Sequence, residues 1–173
     1  MLAPAASFTG FVLGIHIVAV VVSFGLLFVY PLLGVIGARL DPRAVPSWHR
    51  LQSAVHRRVS APGLGVIILA GVFVASEEHQ WSKFYVGWGI AAAVAIGAIG
   101  GAYLMKREQR MIELAEREVA AGAGAQTPAT GEPVAVPWSA EYVAVRRQVD
   151  LGRLLQVAIA TVTIFFMALH LGA

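Results

Sequence analysis

The chain has 173 residues, of which 58% are hydrophobic and 13% charged, with a formal net charge of +3. Soluble domains carry roughly 25% charged residues; here the apolar residues lie in separated blocks at a mean hydropathy of +0.72, which reads as one polytopic membrane domain. The absence of cysteine excludes disulfides, thiolate metal sites, iron–sulfur clusters and c-type haem attachment, and the pI near 9.7 comes from basic residues flanking the apolar runs, which points to membrane orientation and not to nucleic acid.

Thr9 to Ala38 is free of charge and far longer than the roughly 20 residues a crossing helix needs. Thr9, His16, Ser23 and Tyr30 recur every seventh residue, as does Gly37. That spacing returns to nearly one helix face. Span one (8–38) is therefore expected to turn a polar seam, with an imidazole in it, toward protein and away from lipid. Pro31 is expected to kink the span or mark its inner end. No Lys or Arg precedes Arg39, so the segment reads as a retained span and not a secretory signal.

The next stretch carries Arg39, Arg43, Arg50, Arg57 and Arg58. Ser47 after Pro46 is a suitable N-cap for a surface helix from Trp48 that enters the bilayer near Val59. His49 and His56 share a face with Ser53 and Ser60. They are expected on a solvated or headgroup-facing surface; the alternative is a cytoplasmic metal or haem-propionate site, with Arg57 or Arg58 supplying charge. Span two (59–76) contains Pro62, Gly63 and Gly65, residues of a kink or close contact.

SEEHQWSK reads as a tight turn with His79 exposed beside Glu77 and Glu78. Trp81, Phe84, Tyr85 and Trp88 resemble an interfacial aromatic belt. Span three (84–105) holds Gly97 and Gly101, a small-xxx-small pair like Gly10 and Gly14 in span one. The helix is expected to continue into water through KREQRMIELAEREVA, with Glu113 four residues before Arg117. A Pro/Gly/Ala/Thr-rich linker over 120–138 is expected to be mobile. Ser139 should then cap a second projecting helix leading into span four (154–171). The two projections can pair as a stalk through Met111, Leu114 and Val119 against Tyr142, Val145 and Val149. Lys and Arg concentrate in the segments after spans one and three, so both termini are expected outside and the stalk in the cytoplasm of a bacterial inner membrane.

In span four, Arg153, Gln156, Ala160, Thr163, Met167 and His170 follow the periodicity of one helix face. If spans one and four are neighbours, their seams can face each other with His16 and His170 at the outer end. Imidazole ligates metals and haem iron, and the Met167 thioether suits copper(I) or haem. His16 and His170 are thus the candidate metal ligands, with Met167 beside them. Sharing a ligand requires span one to shift outward, because His16 otherwise lies deeper. The alternatives are a hydrogen bond from each histidine to a Ser, Thr or backbone carbonyl across the bundle, a proton relay at His16, and a His170 that reaches out to water. Arg153 at the membrane boundary is expected to meet phosphate headgroups or to pair with Asp150 or a bound anion.

The sequence contains no phosphate-binding glycine loop, nucleophile elbow or zinc-protease helix. It also lacks an intramembrane acid and inverted repeats, which disfavours a secondary transporter.

LGIHIVAVVVSFGLLFVYPLL followed by HRRVSAPGLGVIILAGVFV resembles an uncharacterised bacterial family of four-span integral membrane proteins, over roughly Gly10–Ser76. That family is similar to copper-resistance D-type proteins and, more distantly, to the four-helix bacterial protoporphyrinogen oxidase. The resemblance implies a haem b ligand at His16, or copper at His16, Met167 and His170. The tryptophan usual after the histidine is replaced within VAVVVSFG, and the basic residue expected after the helix-one proline is Leu32.

The expected architecture is all-α: an up-down four-helix transmembrane bundle. Two functions follow as expectations. One is a non-enzymatic accessory protein packed in the bilayer against its own copies or a larger complex. The other is a haem b or copper redox site between spans one and four. A small-solute channel lined by Ser23 and Thr163 is a third.

Overall fold

A computed structural model describes residues 8–121 and 138–169. The chain is all-helical among those residues, and four helices are long and apolar enough to cross a membrane. Helix α1 covers Phe8–Gly37. A short 3₁₀ turn, Pro42–Ala44, leads into α2, Val45–Val55. One π-turn, His56–Ser60, joins α2 to α3, Ala61–Glu77, as a single rod. Beyond the loop, α4 (Phe84–Ala98), a second π-turn (Ile99–Leu104) and α5 (Met105–Ala120) form another. Helix α6 spans Ala140–Leu169. The linker expectation falls largely on 122–137, and His170 follows the last described residue; both lie outside the described part of the chain.

The heptad seam of α1 is its covered face, as its spacing requires. It docks chiefly on the α2–α3 rod, while the inner part of α1 also meets span four, where Tyr30 lies under the Arg153 guanidinium. Gly63 sits where a Cβ would collide with the Ser23 hydroxyl, and a Cβ on Gly71 would be 3.0 Å from His16 Cε1. Tyr30 Oη is 3.5 Å from Ser60 Oγ, and a Cβ on Gly37 would be 2.6 Å from Trp48 Nε1. Small residues on one helix admit the polar side chains of the other, so the backbones approach closely.

Span four uses the same device against span three. The Gln156 amide donates to the Ile96 carbonyl at 3.0 Å, Trp88 Nε1 donates to Thr163 Oγ1 at 3.2 Å, and Gly89 makes room for the Met167 methyl. The bundle is thus two antiparallel helix pairs, each zipped by its own seam. The small-xxx-small pairs are split: a Cβ on Gly97 would be 3.2 Å from Leu64 Cδ2, whereas Gly14 and Gly101 face open space.

The stalk forms through most of its expected apolar stripe, Val119 lying outside the core cluster. Leu104, Met111, Leu114 and Ala115 pack with Tyr142 and Val149, with Val145 against them and Val45 drawn in from α2. Ser139 caps α6, accepting from Tyr142 N at 3.1 Å, and its hydroxyl also donates to Glu118. Arg117 turns to Glu141 at 3.5 Å, across the stalk, where the sequence suggested Glu113 on its own helix.

Three local expectations are corrected. Helix α2 begins at Val45, and Ser47 lies inside its first turn, because Pro46 is tolerated at a helix start. Helix α1 runs through Pro31 to Gly37 without ending there. Tyr85 is buried and donates to Gln80 Oε1 at 2.7 Å, and Trp88 turns to span four, which leaves Trp81 and Phe84 as the exposed members of that belt.

Candidate functional site

Where the stalk meets the bundle, core positions of several helices carry polar groups. On α2 and its π-turn the buried stripe is Val45, His49, Gln52, His56; on the third span's rod it is Leu104, Glu108, Met111, Ala115; on α6 it is Val149, Arg153, Gln156, Ala160. Each follows the four-three-four spacing of a covered helix face. The expectation of a solvated face for His49 and His56 is overturned, because α5 and α6 pack over α2 and cover it.

These stripes converge into one clasp. Arg153 Nη2 donates to Glu108 Oε1 at 2.9 Å, and Arg153 Nη1 donates to Gln52 Oε1 at 3.0 Å. The same carboxylate oxygen accepts from His56 Nδ1 at 3.4 Å. The guanidinium carbon lies 4.8 Å from the Tyr30 ring centroid, close enough for a cation–π contact. Glu108 is 1% exposed and Arg153 4%, so each charge survives burial only because the other is there. Burial alone would raise the Glu108 carboxyl, but His56 and Arg153 outweigh it and hold it below the usual carboxylate range.

A neighbouring pair extends the clasp into the stalk. His49 Nε2 and the Tyr142 hydroxyl are 2.8 Å apart, and Tyr142 stacks on Trp138 at 4.5 Å between centroids. Burial, reinforced by Arg146 and Arg153, pushes the His49 imidazole down to about 4. It is therefore neutral at pH 7. Some buried donors and acceptors stay unmatched, among them Arg153 Nε, Gln52 Nε2 and His49 Nδ1.

Among the described residues no group of three or more His, Asp or Glu side chains is placed to hold a metal ion. His16 lies with its Nδ1 3.0 Å from the Ile67 carbonyl, which only accepts, so Nδ1 carries the proton and Nε2 a lone pair. Met167 packs with Ala75 of α3 and with Tyr85 and Val86 of α4, its methyl filling the space at Gly89. Asp150, considered a partner for Arg153, instead sits 3.8 Å from Arg146 Nε. Glu108 escaped the sequence reading, although an acid inside the apolar stripe Leu104-Glu108-Met111 is a readable anomaly.

No protein-family model, curated protein or solved structure matches this chain.

Proposed function

We propose that this chain is an accessory protein of a bacterial inner membrane, with both termini outside and the stalk in the cytoplasm, where it scaffolds its own copies or a larger complex and is not an enzyme. One observation carries the reading. Tyr30, Gln52 with His56, Glu108 and Arg153 come one set from each spanning rod and meet in the clasp where the stalk begins. The charged groups are engaged with one another, an arrangement that fixes helices more readily than it serves a substrate. The basic loops supply the orientation.

A second reading has one supporting observation. A histidine whose Nδ1–H is held by a backbone carbonyl presents Nε2 as a ligand, the arrangement common at metal-bound imidazoles. His16 would offer one such ligand to haem b or copper, which would supply redox chemistry. Met167 packs against Ala75, Tyr85 and Val86; of the candidate ligands among the described residues, His16 alone has this arrangement.

Protein extracted in mild detergent distinguishes the two. The scaffold reading expects a colourless, copper-free preparation whose native mass exceeds that of one chain. A Soret band or bound copper that disappears in His16→Ala would replace it with the redox reading.

A further inference from the structure

Between α1 and α6, at the level where the Arg-rich segments begin, lies a cleft of about 400 Å³. Its floor is apolar, formed by Pro31, Val35 and Leu154, while Arg39, Arg146 and Arg153 reach its lining and Asp150 is the single acid there. Val35 and Leu154 are more than half exposed, so the apolar side opens outward where a span one ending at 38 and a span four beginning at 154 meet lipid.

The charges are unevenly spent. Arg146 donates to the Gly34 carbonyl at 3.1 Å and only loosely meets Asp150, at 3.8 Å. Arg39 has no carboxylate within ion-pair distance among the described residues. Arg153 is 4% exposed, yet its Nε is a buried donor without an acceptor. A buried donor without an acceptor is costly, and the residue that carries it lines this cleft.

We propose that this cleft binds the phosphate headgroup of an anionic membrane lipid, with an acyl chain lying along Val35 and Leu154. Guanidinium groups match phosphate oxygens in geometry as well as charge, and basic clefts between spans at the headgroup level suit anionic lipids. A free phosphate would satisfy the arginines but leave the apolar floor uncovered. A zwitterionic lipid would cover the floor but bring a compensating cation to the arginines.

The test is thermal unfolding of the full chain in a neutral detergent, with phosphatidylglycerol, phosphatidylcholine or inorganic phosphate added. Phosphatidylglycerol is expected to raise Tm by several degrees, and the other two by much less. The rise should be lost in Arg39→Gln and in Ala38→Trp, which fills the mouth of the cleft, and kept in Lys106→Gln, an exposed cation outside it. If the tryptophan variant does not fold, Arg39→Gln still decides. Equal shifts with phosphatidylcholine, a full shift with inorganic phosphate, or a rise that persists in Arg39→Gln would each overturn the proposal.

Discussion

Gly100 backs directly onto His56: a Cβ at the glycine would stand 3.0 Å from His56 Nε2 and 3.2 Å from Gln156 Nε2. Each of the two residues sits in a π-turn, His56–Ser60 and Ile99–Leu104. Such turns insert an extra residue into a helix and re-aim its side chains. Here the two irregularities meet, and the imidazole reaches Glu108 through the space that the glycine leaves. The clasp therefore depends on backbone shape as much as on charge.

Gly100→Ala should destabilise the protein by about 1–2 kcal/mol, the usual cost of overpacking a tight contact. Gly101→Ala, one residue on, meets nothing within 4 Å and should be neutral or gain up to about 1 kcal/mol of helix propensity. Unfolding of the two variants in detergent checks this contrast between adjacent glycines.

Lowering the pH should weaken the fold through His49. Its folded value of about 4 lies below the unfolded value of roughly 6.5, so the unfolded chain takes up the proton first. The contribution is complete above about pH 6.5 and lost as pH falls toward about 4, on the order of 3 kcal/mol in all. Glu108, also depressed, adds a loss only below about pH 4.3, as pH falls through its folded value. The difference between unfolding midpoints at pH 7.5 and 5 should be clearly smaller in His49→Gln than in the native chain.

Ser139→Ala should fray the first turn of α6 and cost about 1 kcal/mol, the typical value for an N-cap. The variant loses the bond from Tyr142 N and the hydroxyl contact to Glu118. Faster hydrogen exchange confined to 140–143 is the expected signature; exchange unchanged there would mean that the cap is idle.

Much of this fold could be read from local pattern. The seven-residue recurrence from Thr9 to Gly37 marked the covered face of α1, and Ser139 marked the start of α6. The stripes Met111–Leu114 and Tyr142–Val149 marked the stalk. What a seam faces is a different kind of information. His16 and Met167 both lie on covered faces, yet each is taken up by the helix next to its own in sequence, which periodicity does not specify. The π-turns have no residue signature of their own. Glu108 and Arg153 lie 45 positions apart, and Asp150 stood closer to Arg153 in sequence than its true partner. His49 and His56 looked solvated because α2 read alone is amphipathic; the stalk that covers it is assembled from distant segments.

Removing either member of the Glu108–Arg153 pair leaves a buried charge alone, which typically costs about 3–5 kcal/mol. The most direct measurement is a double-mutant cycle by reversible unfolding in micelles, with Glu108→Gln, Arg153→Gln and the double variant. If the clasp ties the four spanning rods together, the double variant should be less damaged than the sum of the singles, with a coupling of about 1.5 kcal/mol or more. Losses that add to within about 0.5 kcal/mol, as for independent sites, would contradict it.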